Sequence, residues 1–443
     1  MIRPMKFIAI LLCVVAIMPA GRADALSLIR DAEIERTLKA MSAPILRAAG
    51  LAPDTVNIYM VRDRSLNAFV AGGRNIFLHT GLMMDLETPE ELLGVIAHEA
   101  GHIAGGHIAR RAINIRNARG PALLGALLGI AAGVAGGGEA GAAIAAGTQG
   151  AVQRSLLSNS RAEEASADQA AVSYLVRSGI DPAGLMMVVE RFRGQEVLSI
   201  GSVDPYILTH PLGTQRMALL QRRVEEVSGR SFSISDENKY WHARMRAKLI
   251  GFLRNPSRVL DDVEGEPETE LTLYKKAVAL HRVPDPSAAI AAADRLIALR
   301  PNDPFYIELK GQILLESRRV AEAIAPYRQA VKLAPNEPLL LSGLGRALVH
   351  SERPELNGEA LKVLKRARAK DLADVTALRD LALAYDRAGD RAMATLATAE
   401  RYALIGNTKN AVGLAKRAAK LLSEGTPGWL RAQDILKLEK KDD

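Results

Sequence analysis

Two histidines and a glutamate, in His98-Glu99-Ala100-Gly101-His102, are the residues of this chain whose types and spacing most directly imply chemistry. They follow the apolar run Leu92-Leu93-Gly94-Val95-Ile96-Ala97. Residues four apart on a helix share a face, so His98 and His102 can aim two imidazoles at one cation. Glu99, one position round, reaches a water on that cation. H-E-x-x-H on a helix is the core of a zinc peptidase site. The rival reading is a structural histidine pair, which is costly to bury without partners. A third ligand separates the two, because a catalytic zinc site takes three protein ligands and leaves one position for water. Glu164 is the candidate. It lies in Glu164-Ala165-Ser166-Ala167-Asp168, where Glu164 and Asp168 share one helix face. Glu164 can bind the metal while Asp168 accepts a hydrogen bond from a ligand histidine and fixes its tautomer. Taken alone, the same two carboxylates read equally well as a surface acidic cluster.

These residues need elements to hold them. Residues 26 to about 50 read as a helix with Ile29, Ile34, Leu38 and Met41 along one stripe. Val56 to Val61, Asn67-Ala68-Phe69-Val70 and Asn75 to His79 read as strands, the last two joined by a Gly72-Gly73 turn. A small sheet therefore precedes the metal helix, which Thr88 caps and Pro89 opens. Ser160-Arg161-Ala162-Glu163 is a capping-box pattern for a second helix running to Ser178, closed by Gly179. Asp181-Pro182 opens the next, Ala183 to Phe192. Residues 120–150 are Gly/Ala-rich, and Pro121 to Ala135 carries no charge. That stretch is short and glycine-broken for a membrane span. It reads as a close-packed helical hairpin over the active site, with a lipid-facing lid as the alternative.

The C-terminal part repeats. Leu299-Arg300-Pro301-Asn302-Asp303-Pro304 recurs as Leu333-Ala334-Pro335-Asn336-Glu337-Pro338, and Gly311 as Gly345 at the same interval. Ala323 recurs at Ala360, the longer interval fitting the Arg353-Pro354 loop. This period in helical sequence implies tetratricopeptide repeats, helix pairs that bury their apolar faces by stacking on neighbours. About four units are legible between 265 and 443.

The chain is 443 residues long, enough for two or three domains. Aromatics make up only 4% of it, which favours helices over sheets. Arg3 and Lys6, the apolar run Phe7 to Met18 and Ala23-Asp24-Ala25 form a secretory signal peptide, residues 1–25. Cys13, the only cysteine, lies inside it, so the mature chain has no thiol, as suits the bacterial periplasm. The formal charge of +8 is scattered, which argues against nucleic-acid binding. Peripheral membrane contact through 120–150 stays open. The expected domains are a metalloprotease domain 26–230, a connecting helical segment 231–264 and a repeat domain 265–443.

His98, Glu99 and His102, followed by Ser160, Arg161, Glu164, Ala167 and Asp168, resemble the HtpX/BepA-like gluzincin family of zinc metalloproteases. So do Asn67-Ala68-Phe69, Gly72-Gly73, Leu78-His79-Thr80-Gly81-Leu82, and Thr209-His210-Pro211 with Arg216 six residues after the histidine. The layout is similar to that of the repeat-bearing periplasmic members. The resemblance implies a mainly α fold with a small β-sheet: a gluzincin-type protease domain followed by an α-solenoid. It implies one zinc ion per chain on His98, His102 and Glu164, with Asp168 behind them. Zinc lowers the pKa of a bound water toward ~7 and polarises the scissile carbonyl, while Glu99 moves the proton. Asn67, Ala68, Phe69 and Val70 would form an edge strand pairing with extended substrate. The resemblance also places His210 at the active site. There it either donates to the oxyanion with Arg216 nearby, or takes the fourth zinc position and shuts the enzyme off; the shut-off role is favoured. His79 and His107 read as packing or orienting residues, and His242, His281 and His350 as uninvolved in catalysis.

The implied function is a periplasmic zinc endopeptidase acting on misfolded or misassembled envelope proteins in outer-membrane quality control. Its repeats would recruit substrate or an outer-membrane assembly machine. The alternative is a chaperone-like scaffold whose peptidase site stays largely latent.

Overall fold

The computed structural model describes residues 27–110, 161–192, 210, 213–283 and 285–439. The signal peptide, the 120–150 hairpin, Ser160, Thr209 and Pro211 lie outside them.

The chain opens with a two-residue strand, β1 (Leu28–Ile29), followed by helix α1 (Ala32–Ala48). This corrects the expected helix from residue 26, and Ile29 lies on the sheet rather than on the helical stripe. The reason is local. Asp31 is the N-cap, its Oδ1 accepting from the Ile34 amide at 3.0 Å, so helical geometry begins only after it. Strands β2 (Asn57–Val61), β3 (Ala68–Ala71) and β4 (Asn75–His79) follow. The sheet order is β1-β2-β4-β3, with β2 and β4 parallel and the other two pairs antiparallel. Gly72 and Gly73 carry φ of +59° and +90° between β3 and β4, a left-handed turn that side chains resist.

Strand β3 is an edge, and its register fixes what it exposes. The His79 amide donates to Asn67 O at 2.9 Å, and Ala68 pairs with Leu78. In an antiparallel pair, bonded and non-bonded positions alternate. Asn67 and Phe69 therefore turn their main-chain groups toward β4, and Ala68 and Val70 turn theirs outward.

Helix α2 (Thr80–Asp85) leads to α3 (Pro89–Ala104), which carries the H-E-x-x-H residues. Thr88 and Glu91 form a reciprocal capping box, with Pro89 in the first turn. Helices α4 (Arg161–Arg177) and α5 (Ala183–Arg191) pack on α3. Two glycines make that possible. A Cβ at Gly101 would stand 2.9 Å from Ala167 O on α4, and one at Gly94 would stand 2.8 Å from the Leu185 backbone on α5. Glu91 is fully buried beneath this junction and bound by Arg191 Nη2 at 2.5 Å.

Helices α6 (Thr214–Glu225), α7 (Asp236–Leu253) and α8 (Pro256–Glu264) lead to the C-terminal region. There the described residues form five antiparallel helix pairs, the first being Glu270–Arg282 with Pro286–Leu299 and the last Thr408–Leu421 with Pro427–Leu436. The sequence reading of about four units is one short of these five; the Leu-x-Pro-Asn block stands before only the second and third pairs. The two parts of the chain share their interiors. Met245 and Leu249 of α7 belong to the sheet-side core, Ala247 to the core of the first repeat pair, and Ala32 of α1 to the core of the following repeats. Among the described residues no helix is long and apolar enough to cross a membrane.

Candidate metal centre

Helix α3 presents His98 and His102 inward, and the Gly101–Ala167 contact brings α4 close enough for Glu164 to reach them. His210 arrives from the segment before α6. All four are buried, and one donor atom from each lies within 4.8 Å of the others.

His98 Nε2 stands 3.0 Å from His102 Nε2, 3.3 Å from His210 Nδ1 and 3.3 Å from Glu164 Oε2. Glu164 oxygens lie 3.2 Å from His102 Nε2 and 3.1 Å from His210 Nδ1. Tetrahedral ligands at about 2.0–2.1 Å from a metal are about 3.3 Å apart. Five of the six donor separations, at 3.0–3.3 Å, are close to the edges of a tetrahedron around one ion, and the sixth, His102 to His210, lies within 4.8 Å. Several lone pairs crowded at this distance in a dry interior repel one another unless a cation or protons lie between them. The donor set of three imidazole nitrogens and one carboxylate is one that zinc accepts.

Each histidine has a partner on its other nitrogen. His98 Nδ1 lies 2.8 Å from Asp168 Oδ1. His102 Nδ1 lies 2.8 Å from His107 Nδ1. His210 Nε2 lies 3.0 Å from Ala68 O, the outward carbonyl of β3. The His102 and His210 bonds select the tautomer that leaves the remaining nitrogen a lone pair, while His98 Nδ1 is held beside Asp168 by proximity of charge rather than by an aligned hydrogen bond. Arg216 binds the carboxylates from behind: Nε donates to Asp168 Oδ2 at 2.6 Å, and Nη1 stands 2.8 Å from Glu164 Oε2. Burial alone would raise Glu164, yet His210, His102 and His98 hold it well below the usual carboxylate range. Asp168, likewise buried, is held at about 2 by Arg216 and His98. Both are anions at neutral pH, the state in which a carboxylate can bind a cation or accept a hydrogen bond from an imidazole.

Glu99 differs. It is 1% exposed, and neither carboxylate oxygen has a hydrogen-bond partner among the described residues. Oε1 lies 3.5 Å from His210 Nε2. Burial pushes its carboxyl up, against the pull of His210 and His98. A buried carboxylate without a partner beside a ligand cluster is a base held ready for a proton.

The structure thus brings together His98, Glu99, His102, Glu164, Asp168, His210 and Arg216, and lays Asn67 to Val70 alongside through Ala68. Arg216 lies on two carboxylates. The sequence left His107 between packing and orienting, and its Nδ1 lies 2.8 Å from His102 Nδ1. Arg191 was missed. It joins Glu91 of α3 to Asp85 at 2.9 Å, and no spacing pattern announces it.

Residues 29–224 match the profile of peptidase family M48, and residues 274–338 and 308–361 match that of the tetratricopeptide repeat. The chain is similar to the Yersinia pestis beta-barrel assembly-enhancing protease, 26% identical over 404 residues, covering 90% of this chain and 82% of that protein. It is similar to the Escherichia coli (strain K12) protein of the same name, 26% identical over 407 residues, 90% and 81% covered. A shorter match is the metalloprotease LoiP of the same strain, 29% identical over 182 residues, covering 39% of this chain and 63% of that one.

Proposed function

Because the chain carries a family M48 metalloprotease domain joined to tetratricopeptide repeats, we propose that it is a zinc-dependent endopeptidase of the periplasm that cuts misassembled outer-membrane proteins. The observation that carries this reading is the buried four-donor cluster with the unpartnered Glu99 beside it. The relatives' name supplies the outer-membrane setting.

His98, His102 and Glu164 would hold the ion, and Asp168, His107 and Arg216 would keep them oriented. The metal supplies Lewis acidity, acidifying water and polarising the scissile carbonyl. Glu99 takes the proton from the attacking water and passes it to the leaving nitrogen. The outward main-chain groups of Ala68 and Val70 align an extended chain by strand addition, with little demand on its sequence. Only unfolded or flexible segments present such a strand, which suits quality control. The repeats recruit substrate or an assembly machine. Stripping the protein with a chelator and adding back zinc tests the core of the reading. Cleavage of an unfolded casein should vanish and return with about one equivalent of zinc. Cleavage indifferent to the chelator refutes it.

His210 occupies two places that substrate needs. Its Nδ1 completes the donor cluster, and its Nε2 takes the Ala68 carbonyl. A site closed by four ligands cannot activate water until one leaves, so His210 acts as a latch. His210→Ala should raise casein cleavage about tenfold with zinc retained. A fall of similar size assigns His210 to the oxyanion instead. The same closed arrangement favours a second reading, a scaffold whose peptidase is dormant. That reading holds if His210→Ala neither gains nor loses activity while repeat-mediated binding persists.

Val70→Pro tests the edge strand. Proline there removes an outward amide and spares the ladder to β4, as edge positions allow. The kcat/KM for extended peptides should fall about threefold to tenfold, the worth of one main-chain hydrogen bond, with metal content unchanged.

A further inference from the structure

A cleft of about 820 Å³ opens away from the ligand cluster, at the end of the sheet where β2 and β4 finish and β3 begins. One wall is the loop from Arg62 to Leu66 with the start of α2. The other is the end of α7 and the beginning of α8. Arg62, Arg64, Arg254 and Arg258 line it, all exposed, and none has a carboxylate within ion-pairing distance among the described residues. Of the acids in the lining, Asp85 is taken by Arg191 at 2.9 Å, and Asp63 accepts from the Ser65 amide at 2.8 Å. Asp63 keeps its charge, so Asp63 and Asp262 are left to offset four guanidinium groups, and the lining is net positive.

The loop wall is tied to the start of α2. The Gly81 amide and the Thr80 hydroxyl both donate to Asp63 O, at 2.8 and 2.9 Å. A Cβ at Gly81 would stand 2.1 Å from Arg64 O, so only glycine lets the two segments close. The opposite wall adds the N-terminal end of α8, whose dipole favours an anion, although Pro256 has no N–H and Asn255 Oδ1 already accepts from the Arg258 amide. Leu66, Met84 and Leu253 give the cleft an apolar floor.

Location completes the case. A polypeptide lying along the outer edge of β3 and continuing past Asn67 leaves the sheet at this same end. We infer that this arginine-lined cleft is an exosite for an acidic stretch of the extended polypeptide substrate, engaged beyond the segment paired with β3. The inference rests on the proposed peptidase reading. A concave cleft with an apolar floor fits a chain better than a flat headgroup layer does. Paired charges here speed encounter and add selectivity without touching the chemistry.

Binding tests it on the full-length protein with Glu99→Gln, so that peptides stay intact. Two fluorescent peptides share one extended core and differ in flanks, four Glu against four Gln. The Glu-flanked peptide should bind about tenfold tighter by anisotropy, and the difference should collapse in about 0.5 M NaCl. Arg62→Gln/Arg254→Gln/Arg258→Gln should erase the preference and leave the Gln-flanked affinity unchanged. If that triple variant does not fold, Arg258→Glu alone, at an exposed position, should cut the preference at least threefold. Equal binding of both peptides, or a preference that survives these substitutions, overturns the inference. So does arginine-dependent binding to phosphatidylglycerol vesicles with no peptide preference. Failure of the wild-type protein to cut the Gln-flanked core would count against the peptidase reading instead, since the anisotropy difference does not depend on cleavage.

Discussion

Glu99→Gln should cut hydrolysis of an unfolded protein or a quenched peptide by about a thousandfold while the metal content of the purified protein stays the same. Glutamine has the size and shape of glutamate but cannot accept a proton, and general acid–base catalysis contributes roughly 10²–10⁴-fold. Glu99 is suited to a substitution this selective. Its oxygens hold no hydrogen bond among the described residues, and it is outside the four-donor cluster, so neither packing nor ligation depends on its charge. Loss of a buried, unpaired carboxylate relieves the interior of a costly group, and thermal stability should hold or rise. The checks are kcat/KM, metal analysis and a melting curve on one preparation. Activity within tenfold of the wild type would assign the proton transfer to another group.

Arg244→Met should cost about 3–5 kcal/mol of stability, the usual penalty for removing one member of a buried ion pair. Arg244 on α7 is fully buried. Its Nε stands 2.5 Å from Glu33 of α1, it pairs with Asp303 at the start of a repeat helix, and its guanidinium lies 3.7 Å from the Tyr306 ring centre. Lys248, one turn on, binds Asp31 at 2.7 Å and Glu33 at 3.3 Å, and Tyr274 donates to Glu33 at 2.6 Å. Methionine fills much of the volume, so the loss comes from carboxylates left in a dry interface rather than from a cavity. Because the interface joins the sheet-bearing part to the repeats, the two should then unfold in separate steps. Urea unfolding followed by hydrogen exchange reads this directly. A single transition of unchanged midpoint would show that the apolar contacts of Ala32 and Ala247 hold the parts together unaided.

Local chemistry explains what could be read in advance. Strands β2, β3 and β4, the Gly72-Gly73 turn and the Thr88-Pro89 helix start each depend on residues a few positions apart, and the sequence displays them. The helical repeats were legible because their signature recurs at a fixed interval, while their exact number was not, because the Leu-x-Pro-Asn block stands before only two of the five pairs. Ile29 was misplaced because its spacing suits a helix, while the Asp31 cap and pairing with β2 draw it into the sheet.

The chain by itself determined the inventory: two histidines one helical turn apart, the glutamate between them, two carboxylates on a later helix face, and a repeating C-terminal half. Periodicity and spacing are one-dimensional properties, so they survive in the letters. Only the tertiary structure decided that Gly101 meets Ala167, that His210 spans the donor cluster and the Ala68 carbonyl, and that Glu33 lies against Arg244 and Lys248. Those contacts join residues far apart along the chain, and burial sets their worth, because a charge or lone pair removed from water must find its partner within the fold.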